Sequence, residues 1–196
     1  LGLSAEPEDS LDPDDMLQKY GADALRLYVM FVAPPEKEVE WSDAGLEGSF
    51  RFLIRVWRIV DHWVETIGGE GIPACGPDCT DAERSLRRKT HDTIRRVTVD
   101  IEDRMHLNTA VSSLMELVNE LYAFSETTAH GAPSRAERPA GQIERPQTIA
   151  VVREAIDALV LMISPFAPHM AEELWSMLGH ADGLAAAQWP SFDAAV

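Results

Sequence analysis

The sequence predicts an all-α protein, an up-and-down helical bundle of four main helices with shorter helices on either side. Apolar residues recur at intervals of three and four over long stretches, which is the period of one helix face. No stretch of useful length alternates apolar and polar residues as a half-buried strand would. The chain has 196 residues and 45% hydrophobic content, enough to bury one good-sized core.

Two short helices are predicted first. Asp12 and Pro13 are residue types preferred at an N-cap and at the first helical position, and Gly21 interrupts this helix. A second helix follows over residues 22–32. Its predicted apolar side consists of Leu25, Tyr28, Val29 and Val32.

The longest predicted helix begins at Ser42 or Asp43 and ends at residue 67, before two glycines. Its apolar positions are Leu46, Phe50, Leu53, Trp57, Val60, Val64 and Ile67. The following loop carries Cys75 and Cys79, and no second ligand pair stands at a spacing that would complete a zinc site. We therefore predict reduced loop thiols and no bound metal.

A central helix is predicted over residues 84–101, introduced by a capping box of Thr80 and Glu83. Its apolar side consists of Leu86, Thr90, Thr93, Ile94, Val97 and Ile101. A further helix, capped by Asn108, is predicted to end near residue 127, and an exposed Pro/Gly/Ala-rich loop spans 129–146. Helices over 147–163 and 169–178 complete the bundle.

Basic residues form a stripe opposite the apolar side of two of these helices, although the net charge of the chain is −16. The first stripe contains Arg51, Arg55, Arg58 and His62, and the second contains Arg84, Arg87, Arg88, His91 and Arg95. One interpretation is a solvated face with intramolecular ion pairs. The other is a surface that binds a polyanion, most simply nucleic-acid phosphates. Aromatic residues beside the stripes, Phe50, Phe52, Trp57 and Trp63, are predicted to belong to the core.

Other function classes have little support in the sequence. No apolar run reaches the roughly 18 residues of a membrane span, and no signal pattern opens the chain, so a cytoplasmic protein without membrane contact is expected. Neither a phosphate-cradling glycine loop nor a nucleophile elbow is present. His169 follows a double-proline elbow and is predicted to cap or pack a helix. No catalytic residue is predicted.

Several segments together resemble leucyl-tRNA synthetase of the bacterial type, a class I aminoacyl-tRNA synthetase. They are DPDDMLQKYGADALRLYVMF, APPEKEVEWSDAGLEGSFRFLIRVWRIV, HDTIRRVTVDIEDRMHLNTAVSSLMELVNEL and SPFAPHMAEELW. The resemblance implies that residues 1–40 are a connector like the region just after the KMSKS loop. It implies that residues 41–196 form the anticodon-binding helical bundle of that family.

The resemblance also implies a function and a limit to it. The family joins leucine to its tRNA with ATP and magnesium, and its helical domain holds the tRNA. Here the HIGH and KMSKS motifs are absent, and residues 3–10 are acidic where the family is basic. We therefore expect a domain that is inactive alone, that holds no cofactor, and that is either excised from the enzyme or a stand-alone relative.

The expected partners are leucine tRNA and, if the chain is an excised domain, the remainder of the synthetase; a monomer is expected. Backbone and shape contacts are expected to hold the tRNA. The residues proposed for them, chosen by the geometry of the stripes, are Arg51, Arg55, Arg58, Arg84, Arg87, Arg88 and Arg95. The alternative is a stand-alone protein-interaction module that binds through its acidic surface, which the net charge of −16 favours.

Overall fold

A computed structural model describes residues 13–32, 41–67, 78–128 and 144–196. All regular structure in these ranges is helical, in agreement with the predicted all-α class. The helices are α1 (Pro13–Tyr20), α2 (Ala22–Val32), α3 (Asp43–Ile67), α4 (Asp81–Glu102), α5 (Leu107–Glu126), α6 (Pro146–Ile163) and α7 (Pro168–Met177), followed by a 3₁₀ turn (Leu184–Ala186).

The four long helices form the bundle. α4 packs along both α5 and α6, and α3 packs against the same two helices. α2 lies on α3 and α5, and α7 lies on α6. A single apolar core joins these helices, and its largest fully buried side chains include Trp63 of α3 and Phe166 after α6. The predicted helical bundle is therefore confirmed.

The predicted inner faces of α2 and α3 were partly wrong. In α2, Val29 is 60% exposed and Val32 38% exposed, whereas Leu27 is buried. In α3, Trp57 is only partly buried, and Trp63 fills the core instead. Both helices carry apolar residues around much of their circumference, so periodicity alone does not determine which side faces the neighbours.

The capping box of α4 is present as predicted. The Glu83 backbone N–H donates to Thr80 Oγ1 at 3.2 Å, and the Thr80 N–H donates to Glu83 Oε2 at 2.6 Å. The predicted cap of α5 was wrong, because His106 occupies the N-cap position and its side chain makes no capping hydrogen bond. Met105, with φ of 52°, turns the chain just before it, so Asn108 already lies inside the helix.

The segment after α7 runs back along α4. Trp189 Nε1 donates to Thr98 Oγ1 at 2.8 Å, and the backbone N–H of Asp193 donates to His91 Nδ1 at 3.0 Å. Since the later residue of the segment contacts the earlier residue of α4, the two run antiparallel.

Some sequence predictions lie outside the described residues. They are the N-cap role of Asp12, the state of Cys75, and most of the loops at 68–79 and 129–146. Cys79 is described and is buried. The division of the chain at residue 40 stays a prediction.

Candidate nucleic-acid interface

The arginines of α3 project from its outer side. Arg51 forms an ion pair with Glu47 one turn earlier, at 3.3 Å, and both side chains are more than half exposed. Such an exposed pair contributes little and is readily exchanged for another partner. Arg58 is exposed and makes no ion pair within the described residues.

Arg55 is held against α5. Its Nη2 donates to Asn119 Oδ1 at 2.7 Å, and its Cζ lies 4.9 Å from the centroid of the Tyr122 ring. The Tyr122 hydroxyl in turn donates to the backbone carbonyl of Arg55 at 3.1 Å. Burial raises the pKa of Tyr122, against the opposing influence of Arg55 and Arg58, so this hydroxyl remains a donor at neutral pH.

The arginines of α4 are mostly paired with carboxylates. Arg84 binds Asp81 at 2.6 Å and also donates to the carbonyl of Cys79. Arg95 binds Asp92 at 2.7 Å. These partners belong to α4 or directly precede it, and they lie three to five residues away. Carboxylates therefore offset much of the charge of this stripe.

Arg87 and Arg88, one residue apart, have different surroundings. Arg87 Nε lies 2.9 Å from Glu154 Oε2 of α6, and about a third of each side chain is exposed. This pair joins α4 to α6 within the bundle. Arg88 is exposed and, like Arg58, has no ion pair among the described residues.

His91 does not belong to the exposed stripe in which the sequence analysis placed it. It is 8% exposed, and its Nε2 lies 3.0 Å from Glu154 Oε1. Its Nδ1 accepts the backbone N–H of Asp193 at 3.0 Å, so Nε2 is the nitrogen that faces Glu154 as a donor. This burial could not be predicted from the sequence, because Glu154 and Asp193 contact His91 from distant parts of the chain.

Two further cations, which the sequence analysis did not single out, face α5. Glu116 Oε2 lies 2.6 Å from Lys89 Nζ and 3.2 Å from Arg96 Nη1. The hydrogen bond from Lys89 contributes most to holding the pKa of Glu116 below its ordinary value. Lys89 and Arg96 are seven residues apart, two helical turns, so they lie on one side of α4. That spacing could have identified them as a pair.

Helix α5 therefore contacts basic residues of both α3 and α4. Glu116 contacts α4, and Asn119, one turn later, contacts Arg55 of α3. We call Arg51, Arg55 and Arg58, together with Asn119 and Tyr122, the α3–α5 face. On this face Arg55 has a neutral hydrogen-bond acceptor and Arg58 has no ion pair among the described residues. The α3–α5 face consequently keeps more of its positive charge than the outer side of α4.

The aromatic residues of α3 belong largely to the core, as predicted. Phe52 and Trp63 are buried, and Trp63 Nε1 donates to Ser125 Oγ at 2.8 Å. His169, for which a packing role was predicted, has its Nδ1 2.8 Å from Asp23 Oδ1 of α2. Within the described ranges, no three His, Cys, Asp or Glu side chains are grouped so that they could hold a metal ion.

Comparison with known protein families shows which family the chain belongs to. The family described as "Anticodon-binding domain of tRNA ligase" matches residues 83–196, more than half of the chain. The chain belongs to this family. The match begins in the first turn of α4 and covers α5, α6, α7 and the segment that returns along α4.

Relatives of this anticodon-binding domain extend the match to α1–α3. The chain is 45% identical to the leucine–tRNA ligase of Geobacter sp. (strain M21) and 44% identical to that of Syntrophobacter fumaroxidans. These matches cover 98% and 97% of the chain but 21% of each ligase. The chain thus corresponds to the anticodon-binding region of leucyl-tRNA synthetases and spans about a fifth of the length of these relatives.

A solved structure agrees with the sequence comparison. The anticodon-binding domain superposes on the LeuRS of Agrobacterium radiobacter K84, in its ternary complex with tRNA and LeuAMS, with a TM-score of 0.74 and 30% identity. The superposition covers 93% of the chain and 21% of that protein. None of the described helices is long and apolar enough to cross a membrane.

Proposed function

We propose that the chain is the tRNA-binding helical domain of a leucine–tRNA ligase and that it positions leucine tRNA by contacts to the sugar–phosphate backbone. The observation that carries this proposal is the 45% identity to leucine–tRNA ligases over 98% of the chain. The tRNA in the complex of the Agrobacterium relative supports it. Leucine activation with ATP and magnesium belongs, in this proposal, to the parts of the ligase that the chain does not match.

The geometry of the α3–α5 face supports backbone recognition. Guanidinium groups bind phosphate oxygens through paired hydrogen bonds, and Arg51, Arg55 and Arg58 follow one another along a single helix side. The chain as a whole carries a charge of −16, so it repels a polyanion except at a local basic surface. Binding should therefore be localised, moderate in affinity and steeply dependent on salt.

The seven arginines of the two stripes do not contribute equally in this proposal. Arg55 and Arg58 of α3 are the primary phosphate ligands, because neither has a carboxylate partner among the described residues. Arg51 lies beside them on α3, and its ion pair with Glu47 is exposed and readily exchanged. Arg84, Arg87 and Arg95 of α4 each have a carboxylate partner, at 2.6 to 2.9 Å. Arg88 is a secondary candidate on the outer side of α4. The comparisons do not favour the alternative of a stand-alone protein-interaction module.

The experiment is equilibrium binding of the 196-residue chain to leucine tRNA over a range of monovalent salt. Each phosphate contact releases counterions, so log Kd should vary linearly with log salt, with a slope near one per contact. A slope of about two to four is expected for the α3–α5 face. Absence of binding at low salt, or binding that does not respond to salt, would contradict the proposal.

A further inference from the structure

Arg55 differs from the other ion-paired or hydrogen-bonded arginines of the two stripes in the chemistry of its partner. Each of the others has a carboxylate. The pairs are Arg51 with Glu47, Arg84 with Asp81, Arg87 with Glu154 and Arg95 with Asp92. Arg55 donates instead to the neutral amide oxygen of Asn119, at 2.7 Å. An amide acceptor fixes the direction of a guanidinium group without cancelling its charge.

A second contact holds the same guanidinium group over an aromatic ring. Arg55 Cζ lies 4.9 Å from the Tyr122 ring centroid, a distance at which the ring attracts a cation. The ring is itself anchored, because the Tyr122 hydroxyl donates to the Arg55 backbone carbonyl at 3.1 Å. Asn119 and Tyr122 stand three residues apart, so they lie on the same side of α5.

These contacts prepare Arg55 for an anion. A guanidinium group has five N–H donors, and the contact with Asn119 uses one of them, through Nη2. Arg55 is half-buried, and its side chain also has a hydrogen-bond interaction with Tyr122, so a phosphate group would meet only the donors that still face solvent. Arg58, one turn further along α3, supplies a second charge. A side chain that is already ordered loses less conformational entropy when it binds, so its contribution to affinity is larger.

We propose that Asn119 is a positioning residue, which holds Arg55 in the orientation that binds a phosphodiester of the tRNA while leaving its charge intact. This inference rests on the proposed function and assigns a role to a neutral residue that does not itself need to touch the nucleic acid. It applies to one phosphate group of the tRNA backbone and does not involve base recognition.

The test compares Asn119→Asp with Asn119→Ala in binding to leucine tRNA. Aspartate at this position would form an ion pair with Arg55, so it would keep the orientation but offset the charge. Alanine at this position would remove the hydrogen bond that orients Arg55 but would leave the positive charge of Arg55 intact. We expect about a threefold loss of affinity for Asn119→Ala. For Asn119→Asp we expect about a tenfold loss, with a salt slope smaller by about one than that of wild type.

Thermal unfolding separates positioning from a structural role. If Asn119 served only to join α3 to α5, the aspartate variant, with its stronger bond, would be at least as stable as the alanine variant and would bind tRNA better. The proposal predicts the same order of stability, with Asn119→Asp at least as stable as Asn119→Ala. It predicts the opposite order of tRNA affinity, with Asn119→Asp binding more weakly than Asn119→Ala. In an Arg55→Gln background the two Asn119 variants should differ in tRNA affinity by no more than about twofold, because the guanidinium group whose charge the aspartate would offset is gone.

A matched control measures the general effect of a new negative charge on α5. Ser112 is exposed and stands seven residues before Asn119, about 10 Å along the helix axis. Ser112→Asp adds the same charge away from Arg55 and should weaken binding by no more than about twofold.

Three outcomes would overturn the inference. Equal affinity of the two Asn119 variants would remove the role of charge, and an equal loss in Ser112→Asp would reduce it to general repulsion. These two results leave the proposed function intact, because wild-type chain still binds tRNA. Absence of wild-type binding would overturn the proposed function together with the inference.

Discussion

Asp23 of α2 caps helix α7, since its Oδ2 accepts the backbone N–H of Met170 at 2.7 Å. The N-cap position of α7 is occupied by Ala167, whose side chain cannot accept a hydrogen bond. Arg26, one turn further along α2, donates through Nε to the carbonyl of Pro165 at 3.0 Å. Helix α2 therefore fixes the elbow between α6 and α7, although nearly 150 residues separate Asp23 from Met170 in sequence.

Asp23→Ala should destabilise the domain by about 1 kcal/mol, because it leaves N–H groups of the first turn of α7 without a carboxylate acceptor. Urea unfolding followed by circular dichroism measures this loss. Asp15→Ala on α1, where the acid is exposed, is the control and should change stability by less than about 0.5 kcal/mol. Equal effects of the two substitutions would show that the contact with α7 contributes nothing.

Glu83 gives the domain a stability that depends on pH. Burial opposes its ionisation, but hydrogen bonds from Thr148 and Thr80, with the charge of Arg145, outweigh burial and hold the pKa of Glu83 below its ordinary value. The stabilisation is therefore present above the pKa that glutamate has in the unfolded chain. It is lost as the pH falls through the lower pKa of the folded state.

Glu83→Gln should lower the free energy of unfolding by about 1–3 kcal/mol at neutral pH, since a buried acceptor of several hydrogen bonds is weakened. The difference from wild type should narrow as the pH falls below the ordinary pKa of glutamate and through the lower pKa of Glu83 in the folded state, where wild type also loses the charge. Urea unfolding of Glu83→Gln and wild type, at neutral and at acidic pH, measures the difference in free energy of unfolding under each condition. A gap that stayed constant with pH would argue against the assigned pKa shift.

Arg153 of α6 joins the end of α3 to the turn that follows α7. Its Nη1 donates to the carbonyl of Ile67, the last residue of α3, at 2.7 Å. Its Nε lies 2.7 Å from Asp157 Oδ2, and its Nη2 lies 2.9 Å from the ring of His180. Its side chain is 16% exposed, so these contacts are only partly screened by water.

Arg153→Met should therefore cost about 2 kcal/mol, since it leaves the Asp157 carboxylate without its cation and the last carbonyl of α3 without a donor. Differential scanning calorimetry measures the change. Arg88→Met removes the same group from an exposed site on α4 and serves as the control. A loss below that of the control would refute the role of Arg153 as a link between α3 and α6.

The helices could be predicted from sequence because local signals define them. α3 has a long apolar repeat, and α4 has a capping box whose two residues, Thr80 and Glu83, are three positions apart in sequence. The face of α2 could not be predicted, since Leu25, Val29 and Val32 are as apolar as the buried Leu27. Only contact with α3 and α5 selects between these sides.

The position of the candidate interface could be predicted from the sequence. The extent to which neighbouring residues offset the charge of its arginines could not. Sequence spacing identified the basic stripes on α3 and α4, yet the partners that decide their strength come from other helices. Glu154 of α6 binds Arg87 and His91, and Asn119 of α5 binds Arg55. Such pairings require the tertiary fold, because the residues are more than 60 positions apart.

The most direct test of the α3–α5 face compares two double variants in binding to leucine tRNA, Arg51→Gln/Arg58→Gln and Arg88→Gln/Arg95→Gln. The pairs are matched. Each contains one arginine without an ion pair among the described residues and one exposed arginine paired with an acid three or four positions earlier. Each double variant also removes the same charge.

We predict that the α3 double variant binds at least about tenfold more weakly than wild type, with a salt slope smaller by about two. The α4 double variant should stay within about threefold of wild type. Circular dichroism should show the same helix content in all three proteins. If the α4 variant lost as much affinity as the α3 variant, or more, the α3–α5 face would not be the principal site of tRNA binding.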